Sequence, residues 1–232
     1  AGCQGCLECG LDNRCAFEGK DGFTEFFRER VMQADVLVFA GAVRDRYLSA
    51  RWKTFFDRSF FQGHTPSLGG KQFVWMVAGP LRQIPNLRQI MEAYTELQRS
   101  NLAGIIGDDV ASGVPAEETS DFHAESSLRL DRLLDDLAAR TLTMAASGYR
   151  RPATFLHEGG QLLFRDEVWG RLRFIFQADH RFYRKMGYYD FPQRALGMRL
   201  LNVFAPLIRL PFVRKQFVPR IKEGMVMPLR RV

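Results

Sequence analysis

The fold is decided by a short apolar run, VLVFA at residues 36–40, and by a second one, QFVWMVA at residues 72–78. Both runs are continuous rather than alternating, which is typical of strands covered on both faces of a parallel sheet. A third run, LAGII at residues 102–106, has the same character. Helical periodicity fills the stretches between them, at residues 49–61 and 86–98. Strands that alternate with helices predict a doubly wound α/β sheet with right-handed crossovers.

Two further helices flank these strands. Residues 21–33 predict one, with Asp21 as the capping residue and phenylalanines on one face. Residues 124–146 predict a long one, whose apolar stripe is formed by Leu130, Leu133, Leu134 and Leu137. We read such stripes as core rather than as cofactor contacts.

The segments that follow the first two strands are the candidate ligand site of this sheet. Doubly wound sheets bind ligands outside the carboxyl ends of their strands, which here means residues 41–47 and 79–85. A glycine at each strand exit lets the backbone approach a flat ligand closely. We read Arg44 and Arg46 as solvated loop charges in preference to groups that neutralise a ligand. The residues that we expect to contact a ligand are Gly41, Ala42, Val43, Arg44, Tyr47, Gly79, Pro80 and Leu81.

All four cysteines of the chain fall near its beginning: Cys3, Cys6, Cys9 and Cys15, in the spacing C-x2-C-x2-C-x5-C. Three thiols two residues apart can turn inward from one tight loop, and a fourth from slightly further on completes the set. The spacing therefore predicts a 4Fe-4S cluster with these four cysteines as its ligands.

Three other kinds of cysteine site stay open and are less favoured. Structural zinc usually takes two C-x2-C pairs that a dozen or more residues separate, whereas Cys6 would belong to both pairs here. A disulfide scaffold suits short secreted chains rather than one of 232 residues. A redox C-x2-C pair needs only two of the four thiols.

The residues also carry a resemblance to a known family. The cysteine loop, KDGF at 20–23, ADVLVFA at 34–40, Ser49 and KTFFDR at 53–58 look like the NAD(P)H-dependent FMN reductase branch of the flavodoxin-like proteins. The compact cysteine motif resembles the iron-sulfur flavoproteins of that branch. The resemblance covers about residues 1–146.

The resemblance implies a flavodoxin-like three-layer sandwich with a parallel sheet, FMN at the sheet edge, a 4Fe-4S cluster near it, and assembly into oligomers. Members of the family begin with a strand and a Ser/Gly-rich phosphate loop, which this sequence does not contain before Cys3. Where the family has T-P-x-Y, this chain has Gly41-Ala42-Val43-Arg44.

The function that we expect is that of an iron-sulfur flavoprotein oxidoreductase, which couples one-electron to two-electron donors and acceptors. NAD(P)H or a redox protein such as ferredoxin would supply the electrons. The alternatives are an NAD(P)H-dependent flavin or quinone reductase without a cluster, and a non-catalytic electron-transfer subunit without flavin. The four histidines are scattered singly, at His64, His123, His157 and His180, so we expect structural roles for them. A thiolate cluster fits a reducing, cytoplasmic location.

The charge of the chain is uneven. Residues 1–149 carry 16 Lys+Arg against 20 Asp+Glu, and residues 150–232 carry 17 against 6. We therefore predict a flavodoxin-like domain at 1–148 with the cysteine loop, and a basic, mainly helical extension at 149–232. Between Leu196 and Val218, basic residues are interspersed with large aliphatic ones.

We favour packing or docking on a partner for this extension. Peripheral contact with the inner face of a membrane is the second possibility, because basic residues attract anionic headgroups. Nucleic acid is the weakest, because the basic residues do not form one polar face.

Overall fold

The structure of the chain is a computed structural model that describes residues 1–62, 64–108, 120–191 and 196–226. The described residues form an α/β fold around a four-stranded sheet. Its strands are β1 (Val36–Arg44), β2 (Tyr47–Leu48), β3 (Gln72–Ala78) and β4 (Asn101–Gly107), in the order β2-β1-β3-β4. The pairs β1–β3 and β3–β4 are parallel, so the predicted mostly parallel sheet is confirmed.

The helices follow the predicted alternation. The first helix is α1 (Phe23–Phe26), which continues as a π-helix (Phe27–Val31). Its N-cap is Gly22, not Asp21 as predicted, although the Asp21 carboxylate still accepts from the Phe23 N–H at 3.3 Å. The others are α2 (Ala50–Ser59), α3 (Pro85–Leu97), α4 (Ser120–Ala146), α5 (Phe155–Glu167), α6 (Gln177–Lys185), α7 (Leu196–Phe204) and α8 (Pro211–Val226).

The strand β1 is longer than predicted. It runs through Gly41 to Arg44 and then turns back into β2, with Val43 opposite Leu48 and Arg44 opposite Tyr47. The turn residues Asp45 and Arg46 both have positive φ, 46° and 64°, as a two-residue hairpin that follows the twist of its strands requires. Residues 41–47 are therefore a β-hairpin and not the open loop that the sequence predicted.

One face of the sheet packs against α2 and α3 through aromatic rings. Phe39 stacks on Trp75, with ring centroids 4.5 Å apart, and it also contacts Trp52 of α2 and Tyr94 of α3. The Trp75 Nε1–H donates to Thr95 Oγ1 at 3.1 Å, so this buried indole keeps its hydrogen bond.

The other face of the sheet packs against α4. Val74 of β3 and Ile106 of β4 form a buried cluster with Leu137 of α4. Because side chains alternate along a strand, Val74 points opposite to Phe73 and Trp75. Helices thus cover both faces, an arrangement compatible with a three-layer sandwich. Leu130 and Leu134 pack as predicted, whereas Leu133 is 37% exposed.

The chain divides into two compact units. One contains residues 1–2, 19–59 and 66–161, and the other contains residues 3–18, 60–65 and 162–232. The cysteine loop thus belongs to the second unit, with most of the basic extension, whereas the sequence had grouped it with the sheet at 1–148. The first unit holds the sheet described above.

The second unit has a core of its own. Val168, Ile175, Phe176 and Tyr183 are buried together. Val168 lies in a π-helix (Val168–Leu172), Tyr183 lies in α6, and Ile175 and Phe176 lie between these two elements. The helix α5 ends at Glu167, directly before this π-helix. None of the helices in the described residues is long and apolar enough to cross a membrane.

Candidate functional site

The cysteine loop, residues 3–15, is shaped by its own backbone hydrogen bonds. The Gly10 N–H donates to the Leu7 carbonyl at 3.2 Å, and the Asn13 N–H donates to the Cys9 carbonyl at 2.8 Å. Gly5, Leu7 and Asn13 have φ values of 59°, 60° and 57°, a left-handed conformation that reverses the chain direction within a few residues. These reversals place four cysteines within one compact turn region.

The other three cysteines affect the ionisation of Cys9. Burial, followed by repulsion from Cys6, Cys15 and Cys3, raises the pKa of the Cys9 thiol to about 12. Cys3 is exposed, and the other three cysteines are half-buried. The Cys9 thiol donates to the Phe60 carbonyl oxygen at 3.9 Å. A thiol in such surroundings gives up its proton only when a positive charge compensates, as a bound metal does.

The loop packs tightly on its own unit. A Cβ atom added at buried Gly10 would lie 2.6 Å from the Ile175 carbonyl oxygen. Any residue other than glycine would therefore clash with this carbonyl. Leu7 packs against the cluster of Val168, Ile175 and Tyr183. The position of the cysteine loop is therefore fixed by backbone-to-backbone contact with the extension.

Two arginines of the extension bind the carbonyls of the loop. Arg181 Nη2 donates to the Leu11 carbonyl at 2.6 Å. Arg214 Nη2 donates to the Cys6 carbonyl at 3.3 Å and pairs with Glu8 Oε1 at 3.0 Å. The Arg214 side chain is mostly buried, so this contact is better shielded from solvent than a surface ion pair.

The residues of the loop fit an iron-sulfur cluster by their chemistry. Four thiols on one loop provide the number of ligands that one 4Fe-4S cluster requires, and the turns at Gly5, Leu7 and Asn13 keep that loop compact. Within the described ranges, no three His, Cys, Asp or Glu side chains are already gathered around one point. Thiolate sites commonly draw their ligands together on binding, and the loop described here is not a preformed cage.

At the second predicted site, at the edge of the sheet, side chains of the protein lie close to two of the predicted glycines. A Cβ atom at Gly41 would overlap Trp52 Nε1 and lie 2.9 Å from Trp52 Cδ1. The indole covers the Gly41 backbone and is itself held by Phe39, Phe55 and Phe56. The close approach of Trp52 therefore accounts for a glycine at position 41.

The exit of β3 is similarly occupied. A Cβ at Gly79, where φ is 118°, would lie 2.9 Å from Val43 Cβ. The Gly79 N–H donates to Asp108 Oδ1 at 2.8 Å, and Leu81 is buried. Ala42, Arg44 and Pro80 are exposed, and Tyr47 is half-buried. The structure thus brings Val43 and Gly79 together and leaves the other predicted contacts spread along the hairpin and the turn.

The motif KTFFDR, part of the family resemblance, has structural partners here. Lys53 pairs with Asp57 one helical turn later, and Phe55 and Phe56 join the aromatic layer. Buried Arg58 binds the Asp21 carboxylate, at 3.1 Å for Nη2 to Oδ1. The Arg58 guanidinium holds the pKa of Asp21 well below its usual value.

The sequence did not single out the residues that hold the cysteine loop: Phe60, Ile175, Arg181 and Arg214. Arg214 and Arg181 are 208 and 170 positions away in sequence from the loop residues that they contact. No local sequence pattern can therefore predict these contacts. His64 was expected to be structural, and it is paired: its N–H and Nδ1 contact the Asp179 carboxylate at 3.1 and 3.3 Å.

Comparison with known proteins adds no family to these observations. No protein-family model matches the chain, and no curated protein matches it either.

Proposed function

We propose that this chain is an iron-sulfur protein that carries single electrons through a 4Fe-4S cluster held by Cys3, Cys6, Cys9 and Cys15. The observation that carries the proposal is the C-x2-C-x2-C-x5-C spacing of the four thiols on one loop, whose backbone turns back at Gly5, Leu7 and Asn13. Bound there, the cluster supplies one-electron redox chemistry.

The chain's own residues support that role by holding the loop. Gly10 allows the loop to lie directly on the Ile175 carbonyl, and Arg181 and Arg214 donate to loop carbonyls. The guanidinium groups place positive charge beside a ligand set that is anionic when it binds metal. Charge and hydrogen bonds of this kind raise the reduction potential of a thiolate-bound centre, because they favour its more negative state. A small redox protein such as ferredoxin is the partner that we propose.

A second candidate function adds FMN and makes the chain an oxidoreductase, with NAD(P)H or the redox protein as donor. The observation that favours it is the parallel sheet, in which Ala42 lies opposite Ala78 and Val77 opposite Gly107. Parallel strands thus end at one edge, where α/β folds bind ligands. Against it, Trp52 covers Gly41 and Val43 fills the space at Gly79, so these glycines do not form an open cradle for a flavin.

The two candidates are separated by anaerobic purification of the full chain and reconstitution with iron and sulfide. The first requires about four iron and four sulfide per chain, a brown chromophore that dithionite bleaches, and a paramagnetic signal in the reduced state. Stoichiometric zinc, or no retained metal, would overturn it.

Flavin is assayed in the same samples by fluorescence after denaturation. FMN that stays bound through gel filtration, with turnover of NADH or NADPH, would establish the second candidate. An iron-sulfur spectrum without FMN binding would leave the electron-carrier function alone.

A further inference from the structure

The helix α7 and the 3-10 helix after it (Ala205–Arg209) turn large apolar side chains toward solvent. Leu196, Leu200, Val203 and Leu207 follow one another at intervals of three or four residues and are 71%, 50%, 69% and 45% exposed. Intervals of this size place side chains on one helical face. A helix of a globular protein normally buries such a face.

This segment is anchored from its other side. Ala205 and Ile208 are 6% and 1% exposed, and Gln177 Nε2 donates to the Ala205 carbonyl at 2.6 Å. The apolar side chains therefore face outward on a helix that is already packed, not on an undocked tail. Phe204, next to Val203, is itself 54% exposed.

The outward face continues into the start of α8. Leu210 and Phe212 are 41% and 68% exposed. We call the whole set the outward apolar surface; its members are Leu196, Leu200, Val203, Phe204, Leu207, Leu210 and Phe212. A contiguous exposed set of this size marks an interaction site rather than ordinary surface.

The charges beside this surface are almost all positive. Arg209, Lys215, Arg220 and Lys222 are exposed, and Glu223 is the one acidic residue between 196 and 226 in the sequence. Exposed cations in the same segment as exposed aliphatic and aromatic side chains complement anionic headgroups above an apolar interior. A second copy of the same surface would instead bring these cations together, which disfavours self-association.

We infer that the outward apolar surface docks the protein on an anionic lipid bilayer, with α7 and the start of α8 lying in the plane of the interface. Pro206 and Pro211 divide the segment into short pieces, which suits lying on a membrane. The apolar side chains would enter the headgroup boundary, and the basic residues would contact lipid phosphates. This inference does not depend on the cluster.

The test is flotation of the full chain with phosphatidylcholine vesicles, with and without phosphatidylglycerol. We expect binding to the anionic vesicles and at least about tenfold weaker binding to the neutral ones or in high salt. The double substitution Val203→Glu with Leu207→Glu should weaken binding about 100-fold or more, because two apolar side chains are lost from the interface.

The matched control is Leu142→Glu, at a site on α4 that is 65% exposed and lies outside the surface. It should bind vesicles like the unchanged chain, and circular dichroism should show all variants folded. Equal flotation of the double variant and the control would overturn the inference. Failure of the unchanged chain to bind anionic vesicles would do the same, as would a dimer in gel filtration that the double variant dissociates.

Discussion

The cysteine loop and the carboxyl edge of the sheet were both predicted to hold a cofactor, and the chain builds them in opposite ways. In the loop, the backbone contacts the Ile175 carbonyl, Arg181 and Arg214, and the half-buried Cys9 thiol donates to the Phe60 carbonyl. At the edge, Trp52 and Val43 occupy the space beside the glycines. A glycine near the end of a strand can leave room either for a ligand or for a packed side chain. The residue that lies against it in the fold distinguishes the two cases.

The largest expected effect is on the cysteine loop. Cys9→Ser should reduce iron in the reconstituted protein from about four atoms per chain to below about one, because Cys9 is the thiol that the other three surround. Iron content and visible absorbance measure it. Val43→Ala at the sheet edge is the control and should retain full iron. A Cys9→Ser protein with a complete cluster would show that the loop is not the ligand set.

Gly10→Ala tests the contact beneath the loop. The new Cβ would meet the Ile175 carbonyl oxygen at 2.6 Å, and a backbone atom cannot rotate away, so we expect a loss of about 3 kcal/mol in the free energy of unfolding together with reduced iron uptake. Urea denaturation and iron assay report the two effects. Gly2→Ala, which meets nothing within 4 Å, should change neither. An unchanged unfolding midpoint in Gly10→Ala would argue against this packing.

Gly41→Ala is the counterpart at the sheet. Its Cβ would overlap the Trp52 indole, which four neighbouring rings confine, so we expect about 2 kcal/mol of destabilisation. Iron uptake should stay unchanged, because the loop belongs to the other compact unit. Stability by urea denaturation, iron content and tryptophan fluorescence test it. If Gly41→Ala were neutral and FMN bound, the edge would be open after all.

The pair Asp21–Arg58 predicts a pH dependence for the sheet unit. Arg58 lowers the pKa of Asp21, so this carboxylate stabilises the fold above its unfolded pKa of about 3.9 and loses that contribution as the pH falls toward the folded value. Asp21→Asn should cost about 1.5 kcal/mol at pH 7. The difference from the unchanged chain should shrink below about pH 4, as measured by urea denaturation across pH. A difference that grows in acid would contradict the pairing.

Arg214→Met should have the smallest effect. It removes the donor to the Cys6 carbonyl and the pairing with Glu8 while keeping an apolar stem, for a cost of about 1 kcal/mol. The rate at which a thiol reagent labels the metal-free loop should rise. Lys215→Met, at the exposed neighbouring position, should label at the original rate. Equal rates in the two variants would mean that Arg214 does not hold the loop.

The parts of the fold that the sequence predicted are those whose signal is local. The strands predicted at 36–40, 72–78 and 102–106 lie within β1, β3 and β4. They were predictable because a strand that is covered on both faces has a continuous run of apolar residues. The hairpin at Asp45–Arg46 was missed, since its two left-handed residues are neither glycine nor asparagine. The helix α5 was missed as well, because Gly159 and Gly160 interrupt its pattern.

The candidate site also has a part with a local sequence signal and a part without one. The spacing of the four cysteines is visible in the sequence, and the chemistry follows from it. The neighbours that hold the loop lie far along the chain, so they follow only from the fold. The sequence predicted Gly41 and Gly79 as ligand contacts, and the structure adds Trp52 and Val43 as the side chains closest to them, which no local pattern indicates.

The arrangement of the second unit also has a consequence for how the protein is made. Cys6 leaves the ribosome 208 residues before Arg214, and the segment at 162–232 that completes the unit is translated after the whole sheet. Domains fold as they emerge, so the sheet unit can form while the cysteines are still free thiols without their final surroundings. In the proposed iron-sulfur function, loading of the cluster would therefore follow synthesis of the C-terminal helices that complete this unit.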